Sequence, residues 1–350
     1  MSNALLSQDG LHQLIERFPN CRIAVLGDFF LDKYLDTDPA LVETSVETGK
    51  EAHQVVRIRC SPGAAGTVVN NLASLNPGQL HAIGLTGDDG EAFELRRGLA
   101  ARNCTTDHLI RSSSHNTPTY LKPRDNSIPG LDGEICRYDT KNRDPMSPEL
   151  EAQLIQALDV LLPELDAVII LDQVEEAVGG VLSSAIRDAA IERAQRFPGV
   201  VFWVDSRERV HEFRRMTLKS NEYEVLGMKQ PPPGTIIDLN KVEVEARKLR
   251  RRNGAPVVVT CGDKGVLISD PDWKWVPAVR VDGEIDATGA GDSFNAGATL
   301  ALAAGASFAE ATVVAHLVAS ITIQQLATTG VARPYQLPDR LSLWIQQQKE

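Results

Sequence analysis

Aromatic residues, methionine and cysteine are scarce in this chain of 350 residues: Phe, Trp and Tyr make up 5% of it, with 4 Met and 5 Cys. The cysteines are odd in number, far apart and form no C-x-x-C pair; they are Cys21, Cys60, Cys104, Cys136 and Cys261. This spacing excludes a disulfide framework and a zinc knuckle, and it fits a reducing compartment best.

The chain also lacks long hydrophobic runs and an excess of positive charge. Residues Met1 to Phe18 contain no basic start followed by an apolar run, so we expect a cytoplasmic protein without a membrane span. Lys and Arg number 36 against 47 Asp and Glu, a net charge of -11. Such a charge opposes sequence-independent binding to nucleic acid or to an anionic membrane, so neither is expected as a partner.

Short β-branched runs alternate with stretches of helical periodicity, which predicts an α/β fold of buried parallel strands joined by helices. The predicted strands are Arg22 to Leu26, Ala167 to Leu171, Val200 to Val204 and Val257 to Thr260. The predicted helices are Glu149 to Leu162, Gly180 to Phe197 and Lys241 to Arg252. We interpret residues 1–350 as a single domain, which this length allows.

Two regions interrupt the α/β alternation, approximately residues 34–60 and 112–140. They contain extended segments without adjoining helices, predicted at His53 to Arg59, Thr117 to Lys122 and Glu134 to Tyr138. Together these segments predict a small separate sheet inserted in the domain.

The most informative motif is D-A-T-G-A-G-D-S-F at positions 286–294, followed by a run of small residues with helical periodicity. Backbone N–H groups at Gly289, Ala290 and Gly291 would point at an anion at the start of that helix. Asp292 would stand where a carboxylate can accept a hydroxyl proton, as phosphoryl transfer to an alcohol requires. The motif alone also fits a glycine-rich turn in which Asp292 caps the helix.

Two other nucleotide-binding motifs are excluded by inspection. The sequence contains no G-x-x-x-x-G-K-[ST], and its G-x-G-x-x-F run lacks the third glycine of a dinucleotide fingerprint. That run also lies near the C-terminus, whereas a dinucleotide fingerprint usually follows the first strand.

The 286–292 motif resembles the D-T-x-G-A-G-D signature of the ribokinase-like, or PfkB, sugar kinases. The resemblance covers about residues 20 to 340 and is strongest to the heptose-phosphate kinase domain, which shares Gly-Asp-x-x-Leu-Asp at positions 27–32 and Gly-Leu-Thr-Gly at 84–87. It implies a central, mostly parallel sheet flanked by helices, with a small β-sheet lid.

The resemblance also implies roles for residues that would bind ATP and Mg²⁺. Asp292 would be the catalytic base, and the amides of Gly289, Ala290 and Gly291 would form the anion hole. Asn221 and Glu224, in N-E-Y-E, would organise Mg²⁺ through water, although this motif alone is typical of a surface helix.

The ATP-binding residues implied by the resemblance are Thr260, Gly262, Gly265, Asn221 and Thr288. The first three lie in a T-x-G-x-x-G segment that follows a predicted strand. Taken alone, this segment also fits a plain strand and turn.

On the acceptor side, Asp28 and Asp32 follow the first strand, where open α/β sheets place ligands, and the resemblance favours Asp32 as the sugar ligand. The resemblance also implies a sugar-binding turn that contains Gly63 and Thr67, and Arg137 of the lid is a candidate substrate contact. The lid cations Lys122, Arg124 and Arg137 are alternatively solvated charges of the small sheet.

Two departures from the family pattern concern the acceptor. Ala64 replaces a usual glycine, and Thr67 stands where an asparagine normally binds the sugar. Residues 172–176 read D-Q-V-E-E where the heptose-kinase branch reads roughly D-Y-A-K-G, so an acid replaces a lysine. This replacement predicts an unphosphorylated or differently placed acceptor.

The leading hypothesis is an ATP- and Mg²⁺-dependent kinase for a hydroxyl of a sugar or sugar phosphate, dimeric through its lid. The alternatives are a sugar or nucleotide sensor that has kept the fold, and a nucleoside kinase that shares the motif. The sequence leaves open whether a monovalent cation binds near Asp286.

Overall fold

The computed structural model describes residues 5–176, 178–229, 232, 235–326 and 330–349. The strands in these ranges are β1 (Arg22–Gly27), β2 (Phe29–Thr37), β3 (Glu43–Thr44), β4 (Glu51–Ala52), β5 (Val55–Ala64), β6 (Gln79–Gly87), β7 (Cys104–Thr105), β8 (Leu109–Ser112), β9 (Thr119–Asp125), β10 (Tyr138–Thr140), β11 (Ala167–Asp172), β12 (Val201–Ser206), β13 (Thr217–Asn221), β14 (Val257–Thr260), β15 (Val266–Ile268) and β16 (Lys274–Val276). The α-helices are α1 (Gln8–Arg17), α2 (Ala65–Leu75), α3 (Gly90–Ala100), α4 (Pro148–Leu161), α5 (Ser184–Arg196), α6 (Glu222–Val225), α7 (Leu239–Asn253), α8 (Ala290–Ala303), α9 (Phe308–Thr322) and α10 (Leu337–Gln347).

A large sheet forms the centre of the molecule, in the order β16-β15-β14-β13-β12-β11-β1-β6-β7, with β8 also paired to β6. The strands from β14 to β7 run parallel, and β15 and β16 are antiparallel additions at one edge. β11 is buried at every position, which explains its continuous apolar sequence. The four strands predicted from the sequence are therefore confirmed, one with the predicted limits and three with ends shifted by one or two residues.

Helices cover both faces of this sheet because each face presents apolar side chains. One core packs residues of α1, α2, α8, α9 and α10 against the sheet, and a second packs α4, α5 and α7 against the other face. The three predicted helices correspond to α4, α5 and α7, although α5 begins only at Ser184, where the side chain of Ser183 caps it. The carboxyl ends of the parallel strands are thereby left open at one edge of the sheet.

A second, four-stranded sheet has the order β10-β9-β2-β5. It begins at Phe29, immediately after β1, and β5 runs on to Ala64, so the first segment of the small sheet is longer than the predicted 34–60. The predicted strand from Glu134 to Tyr138 is wrong in position, since the ladder of β10 starts at Tyr138. Glu134 forms only an isolated bridge to Arg124. The segment from Glu134 to Tyr138 is one residue longer than the segment of β9 that faces it, and this extra residue interrupts the pairing.

None of the helices in the described ranges is long and apolar enough to cross a membrane.

Candidate active site

A polar cavity of about 440 Å³ lies at the carboxyl ends of β11, β12 and β13, beside the start of α8. Parallel sheets place ligands at this edge because the loops there diverge. Its lining residues are Gln173, Glu175, Asp205, Arg207, Glu208, Lys219, Asn221, Tyr223, Glu224, Met228, Lys229, Ala287, Gly289, Gly291 and Asp292. The cavity brings together Asp292, Gly289, Gly291, Asn221 and Glu224, which the sequence places in two motifs about 70 residues apart.

Asp292 lies in the first turn of α8, and Gly289 rather than Asp292 occupies the N-cap position. The carboxylate of Asp292 accepts no hydrogen bond from the described residues, so the helix-capping interpretation is not what the structure shows. The pKa of Asp292 is raised to about 7, first by burial and then by the charge of Asp205, while the charges of Lys219 and Arg207 oppose the shift. An unpaired carboxylate with such a pKa is suited to exchange a proton near neutral pH.

The amides at the start of α8 form the second part of the cavity. Ser293 N–H makes the first helical hydrogen bond, to Gly289 O at 2.9 Å, and the N–H groups of Gly291 and Asp292 before it have no acceptor among the described residues. A Cβ on Gly291 would lie 3.3 Å from Lys219 Nζ, so glycine keeps the space between amide and ammonium open. This arrangement fits a phosphate.

The amides of two predicted ligand-binding residues, Ala290 of the anion hole and Thr288 of the ATP-binding set, are used within the protein. Ala290 N–H donates to Ala287 O at 3.1 Å, so the structure does not offer that amide to a ligand. Thr288 is exposed, and its N–H donates to Asp286 Oδ1 at 2.9 Å, which closes the turn before the helix.

Asp205 and Lys219 form a buried ion pair beneath Asp292 that the sequence analysis missed. Lys219 Nζ lies 2.9 Å from Asp205 Oδ2, and Asn295 Nδ2 donates to the same oxygen at 2.6 Å. Trp203 Nε1 donates in turn to Asn295 Oδ1 at 3.0 Å. Burial alone would lower the pKa of Lys219, but Asp205 and other carboxylates outweigh it, so the net shift is upward and the ammonium stays charged.

A signal for this pair exists in the sequence. Asp205 ends the apolar run V-F-W-V-D, and Lys219 is the single charge in the short run T-L-K-S-N. A charge inside a buried strand requires a partner, which could have been sought on the neighbouring strand.

Asn221 and Glu224 form a reciprocal capping box at the start of α6. Asn221 Oδ1 accepts from the N–H groups of Tyr223 and Glu224 at 2.9 and 2.8 Å, and Glu224 Oε2 accepts from Asn221 N–H at 2.7 Å. Burial raises the pKa of Glu224 to about 7, and the charge of Lys219 opposes that shift. The N-x-x-E motif therefore has a local structural function in addition to its place on the cavity wall.

The predicted nucleotide-binding segment lies beside the cavity but does not line it. Thr260 pairs with Asn221 in the register of β13 and β14, and its hydroxyl donates to Ser220 O at 3.3 Å. Gly262 and Gly265 have φ values of 56° and 99°, and a Cβ on Gly265 would collide with the carbonyl of Val276. Backbone conformation thus accounts for both glycines.

Asp28 is buried, and backbone amides already occupy its carboxylate. Its two oxygens accept from Gln173 N–H at 2.9 Å, Val174 N–H at 3.2 Å and Val181 N–H at 2.7 Å. Burial raises its pKa to about 6, while these hydrogen bonds oppose the shift. They account for Asp28 without a ligand, so substrate binding by this residue stays a prediction.

Asp32 and Arg137 lie on one polar face of the small sheet, each paired with a charge. Asp32 Oδ1 accepts from Lys122 Nζ at 2.7 Å, and the Arg137 guanidinium donates to both oxygens of Asp139 at 2.7 and 2.9 Å. A Cβ on Gly63 would collide with the Asp32 carboxylate, which explains the glycine at that position. None of these residues lines the cavity that contains Asp292.

The altered acceptor turn is strained at Ala64. Its φ of 51° and ψ of -117° form a conformation that suits glycine, the residue usual at this position in the family pattern. Thr67 follows in the first turn of α2, where its side chain is buried.

Among the described residues, no group of three or more His, Cys, Asp or Glu side chains is arranged to hold a metal ion. A magnesium ion in this cavity would therefore take most of its ligands from phosphate and water, with Glu224 nearby.

Fold and cavity together define an α/β protein with a buried carboxylate and helix-start amides without an acceptor, among the described residues, at the carboxyl edge of a parallel sheet. The family model for the pfkB family carbohydrate kinases matches residues 33–333. The chain belongs to the pfkB family of carbohydrate kinases.

Relatives and solved structures agree with this family. The chain is 28% identical over 324 residues to the bifunctional protein HldE of Gluconobacter oxydans, covering 91% of this chain and 64% of that protein. It is also 28% identical to the HldE protein of Coxiella burnetii over 330 residues, with 91% and 64% covered. The chain thus spans about 64% of the length of these relatives.

The fold resembles that of ribokinase from Thermotoga maritima, with a TM-score of 0.65 at 21% identity, covering 92% of this chain and 99% of that chain. It also resembles phosphofructokinase-2 from Escherichia coli, with a TM-score of 0.66 at 19% identity and 92% and 99% covered. The predicted ribokinase-like fold is therefore confirmed, including its mostly parallel sheet and the small separate sheet.

Proposed function

We propose that this protein transfers the γ-phosphoryl group of ATP to a hydroxyl of a sugar or sugar phosphate. The observation that carries the proposal is the unpaired Asp292 carboxylate beside the free amides of Gly291 and Asp292, in one cavity at the carboxyl edge of the sheet. A proton acceptor and an anion site in the same cavity are the two parts that phosphoryl transfer to an alcohol requires.

In the proposed reaction the ionised Asp292 takes the proton of the acceptor hydroxyl. The acceptor oxygen then bonds to the γ-phosphorus as the bond to the β–γ bridging oxygen breaks, which yields ADP and a sugar phosphate. The amides of Gly289 and Gly291 and the Lys219 ammonium would stabilise the negative charge on the transferred group. Asp205, which also accepts a hydrogen bond from Asn295, holds Lys219 in place, so this charge is already oriented before substrate binds.

The remaining residues would divide between donor and acceptor. ATP, when bound, supplies the phosphoryl group, and Thr260, Gly262, Gly265, Asn221 and Thr288 are the proposed donor side. One oxygen of Glu224 accepts from the Asn221 N–H, so the other would orient Mg²⁺. The contact would pass through water, because magnesium keeps several waters.

The proposed acceptor side comprises Asp28, Asp32, Gly63, Thr67 and Arg137, with the small sheet as a lid. Closure of that sheet would exclude water, which would otherwise compete with the sugar as acceptor.

A homodimer through the small sheet is part of the proposal. The face opposite Asp32 carries two apolar cross-strand pairs, Leu35 with Ile58 and Leu121 with Tyr138. Ile58 is 60% exposed and Tyr138 61% exposed, so an apolar surface is available to a second copy. A dimer would be measured by sedimentation, and Ile58→Lys should return it to a monomer.

The activity is tested by Mg²⁺-dependent ADP release across hexoses, heptoses, their phosphates and nucleosides, with Asp292→Asn beside the parent. The matched control is Asp188→Asn, an exposed carboxylate on α5 away from the cavity. Turnover that requires one acceptor and collapses only in Asp292→Asn supports the proposal. Binding of a sugar or nucleotide without ADP release from any acceptor would instead indicate a sensor, and turnover with adenosine-type acceptors a nucleoside kinase.

A further inference from the structure

Arg207 lies on the cavity wall with an exposed and weakly held guanidinium. It follows Asp205 by two residues at the end of β12. Its Nε donates to Gln173 Oε1 at 3.0 Å, and its Nη1 lies 3.4 Å from Glu175 Oε1. The Arg207 and Glu175 side chains are 51% and 55% exposed, and pairs of this kind contribute little free energy. The guanidinium can therefore exchange Glu175 for a ligand at small cost.

Arg209, two residues further along the chain, is mostly buried and firmly held by hydrogen bonds. Its guanidinium donates to both oxygens of Asp172 at 3.0 and 2.5 Å and to the carbonyl of Glu176 at 3.0 Å, and its side chain is only 13% exposed. Arg209 thus holds the segment of residues 172–176 against β12. Because this segment is fixed, Glu175 stays beside Arg207 at the cavity edge.

The other two cations that line the cavity differ from Arg207 in partner or in position. Lys219 is buried against Asp205, and Lys229 follows α6, on the side of Asn221. Arg207 alone of these three stands on the side of Gln173 and Glu175, after β11. It is therefore the cavity cation best placed for a charged group on the acceptor.

The position of Arg207 also links the catalytic carboxylate to the small sheet. Burial and then Asp205 raise the pKa of Asp292, and Arg207 is among the cations that oppose this shift. Burial raises the pKa of Tyr120 on β9, and Arg207 is the largest opposing influence there as well. The guanidinium thus lies within electrostatic range of both the proposed base and the proposed lid.

We propose that Arg207 recognises an anionic group, a phosphate or a carboxylate, on the sugar acceptor, releasing Glu175 as that group binds. The proposal rests on the proposed function and names the class of its acceptor. A planar guanidinium donates two parallel hydrogen bonds to either anion, and a neutral sugar offers no group that competes with Glu175. An acid at position 175, in place of a lysine, then serves as the exchangeable partner of a cation supplied by the neighbouring strand.

The experiment compares the parent with Arg207→Gln, Glu175→Gln and Arg251→Gln, the last an exposed arginine near the end of α7. Acceptors are hexose and heptose phosphates, hexonic acids and the corresponding neutral sugars, assayed for kcat and KM separately. Binding of the same compounds without ATP is measured by calorimetry, and far-ultraviolet circular dichroism checks the fold.

Arg207→Gln should lower the preference for anionic over neutral acceptors by about tenfold to a hundredfold, through KM and binding, because charge-assisted hydrogen bonds are lost. Glu175→Gln should tighten binding of the same acceptors several-fold, and Arg251→Gln should match the parent. If the preference is lost for sugar phosphates, the anionic group is a phosphate; if it is lost for hexonic acids, the group is a carboxylate.

Three results would overturn the proposal. The first is a parent that prefers neutral sugars, and the second is an Arg207→Gln variant whose kcat falls equally for neutral and anionic acceptors. The latter would place Arg207 on the transferred phosphoryl group instead. The third is weaker acceptor binding in Glu175→Gln, which would make the acid itself the ligand. Absence of turnover with every acceptor would reject the proposed kinase, while the calorimetric arm would still decide on Arg207.

Discussion

The pH dependence of catalysis follows from the environment of Asp292. A carboxylate with a pKa of about 7 is about one-tenth ionised at pH 6 and about one-hundredth at pH 5. Because only the ionised form accepts the hydroxyl proton, kcat/KM should rise about tenfold per pH unit below 7 and become level above it. Initial rates of ADP release between pH 5 and 9, at saturating Mg²⁺, measure this profile.

Two variants assign the titration to Asp292. Asp292→Asn removes the base, so the rate at pH 8 should fall by about 10²–10⁴-fold and the acid limb should disappear. Asp205→Asn removes a negative charge that raises the pKa of Asp292 and leaves Lys219 unpaired, so the limb should move to lower pH. The assignment is refuted if the acid limb of the pH profile has the same midpoint in Asp205→Asn as in the parent, or if it persists in Asp292→Asn. The titrating group would then belong to the substrate.

Unfolding separates loss of chemistry from loss of structure. The pKa of Asp292 in the folded protein, about 7, exceeds its ordinary value of 3.8, so the folded state binds this proton more tightly than the unfolded chain. That stabilisation is complete below pH 3.8 and is lost as the pH rises through 7. A neutral asparagine should therefore raise Tm at pH 8 more than at pH 5. A lower Tm at both pH values would show that the carboxylate has a structural role.

Three further variants test the architecture around the cavity. Ala64→Gly should increase the free energy of unfolding by about 1 kcal/mol, because strain at φ 51° is relieved, whereas Ala73→Gly within α2 should decrease it by a similar amount; urea titration measures both, and equal losses would show that Ala64 is unstrained. Lys219→Met should cost about 3–5 kcal/mol of stability, because Asp205 is left buried and unpaired; a loss below about 1 kcal/mol, the value of an exposed pair, would contradict this. Gly265→Ala should lower Tm, since the new Cβ meets the Val276 carbonyl at φ 99°, and an unchanged melting curve would remove that explanation of the glycine.

Local patterns in the sequence were sufficient for the strands and for the main motif. The run Val257 to Thr260 is a strand because four consecutive β-branched residues suit a largely buried position between two neighbouring strands. The helix after Gly289 follows from the glycines and the small-residue periodicity. The small sheet was predicted with incorrect limits, because β2 starts directly after β1 and the sequence shows no break between them at Asp28.

The sequence by itself determined the α/β alternation, the small sheet and the position of Asp292 in the first turn of a helix. Each depends on neighbours along the chain, through side-chain periodicity and backbone conformation. Tertiary structure alone decided that Asp205 neutralises Lys219, that backbone amides occupy Asp28, and that Arg207 faces the cavity with Glu175. These outcomes depend on which strand ends lie side by side, since a buried charge takes its partner from the nearest element in space, whatever their separation in sequence.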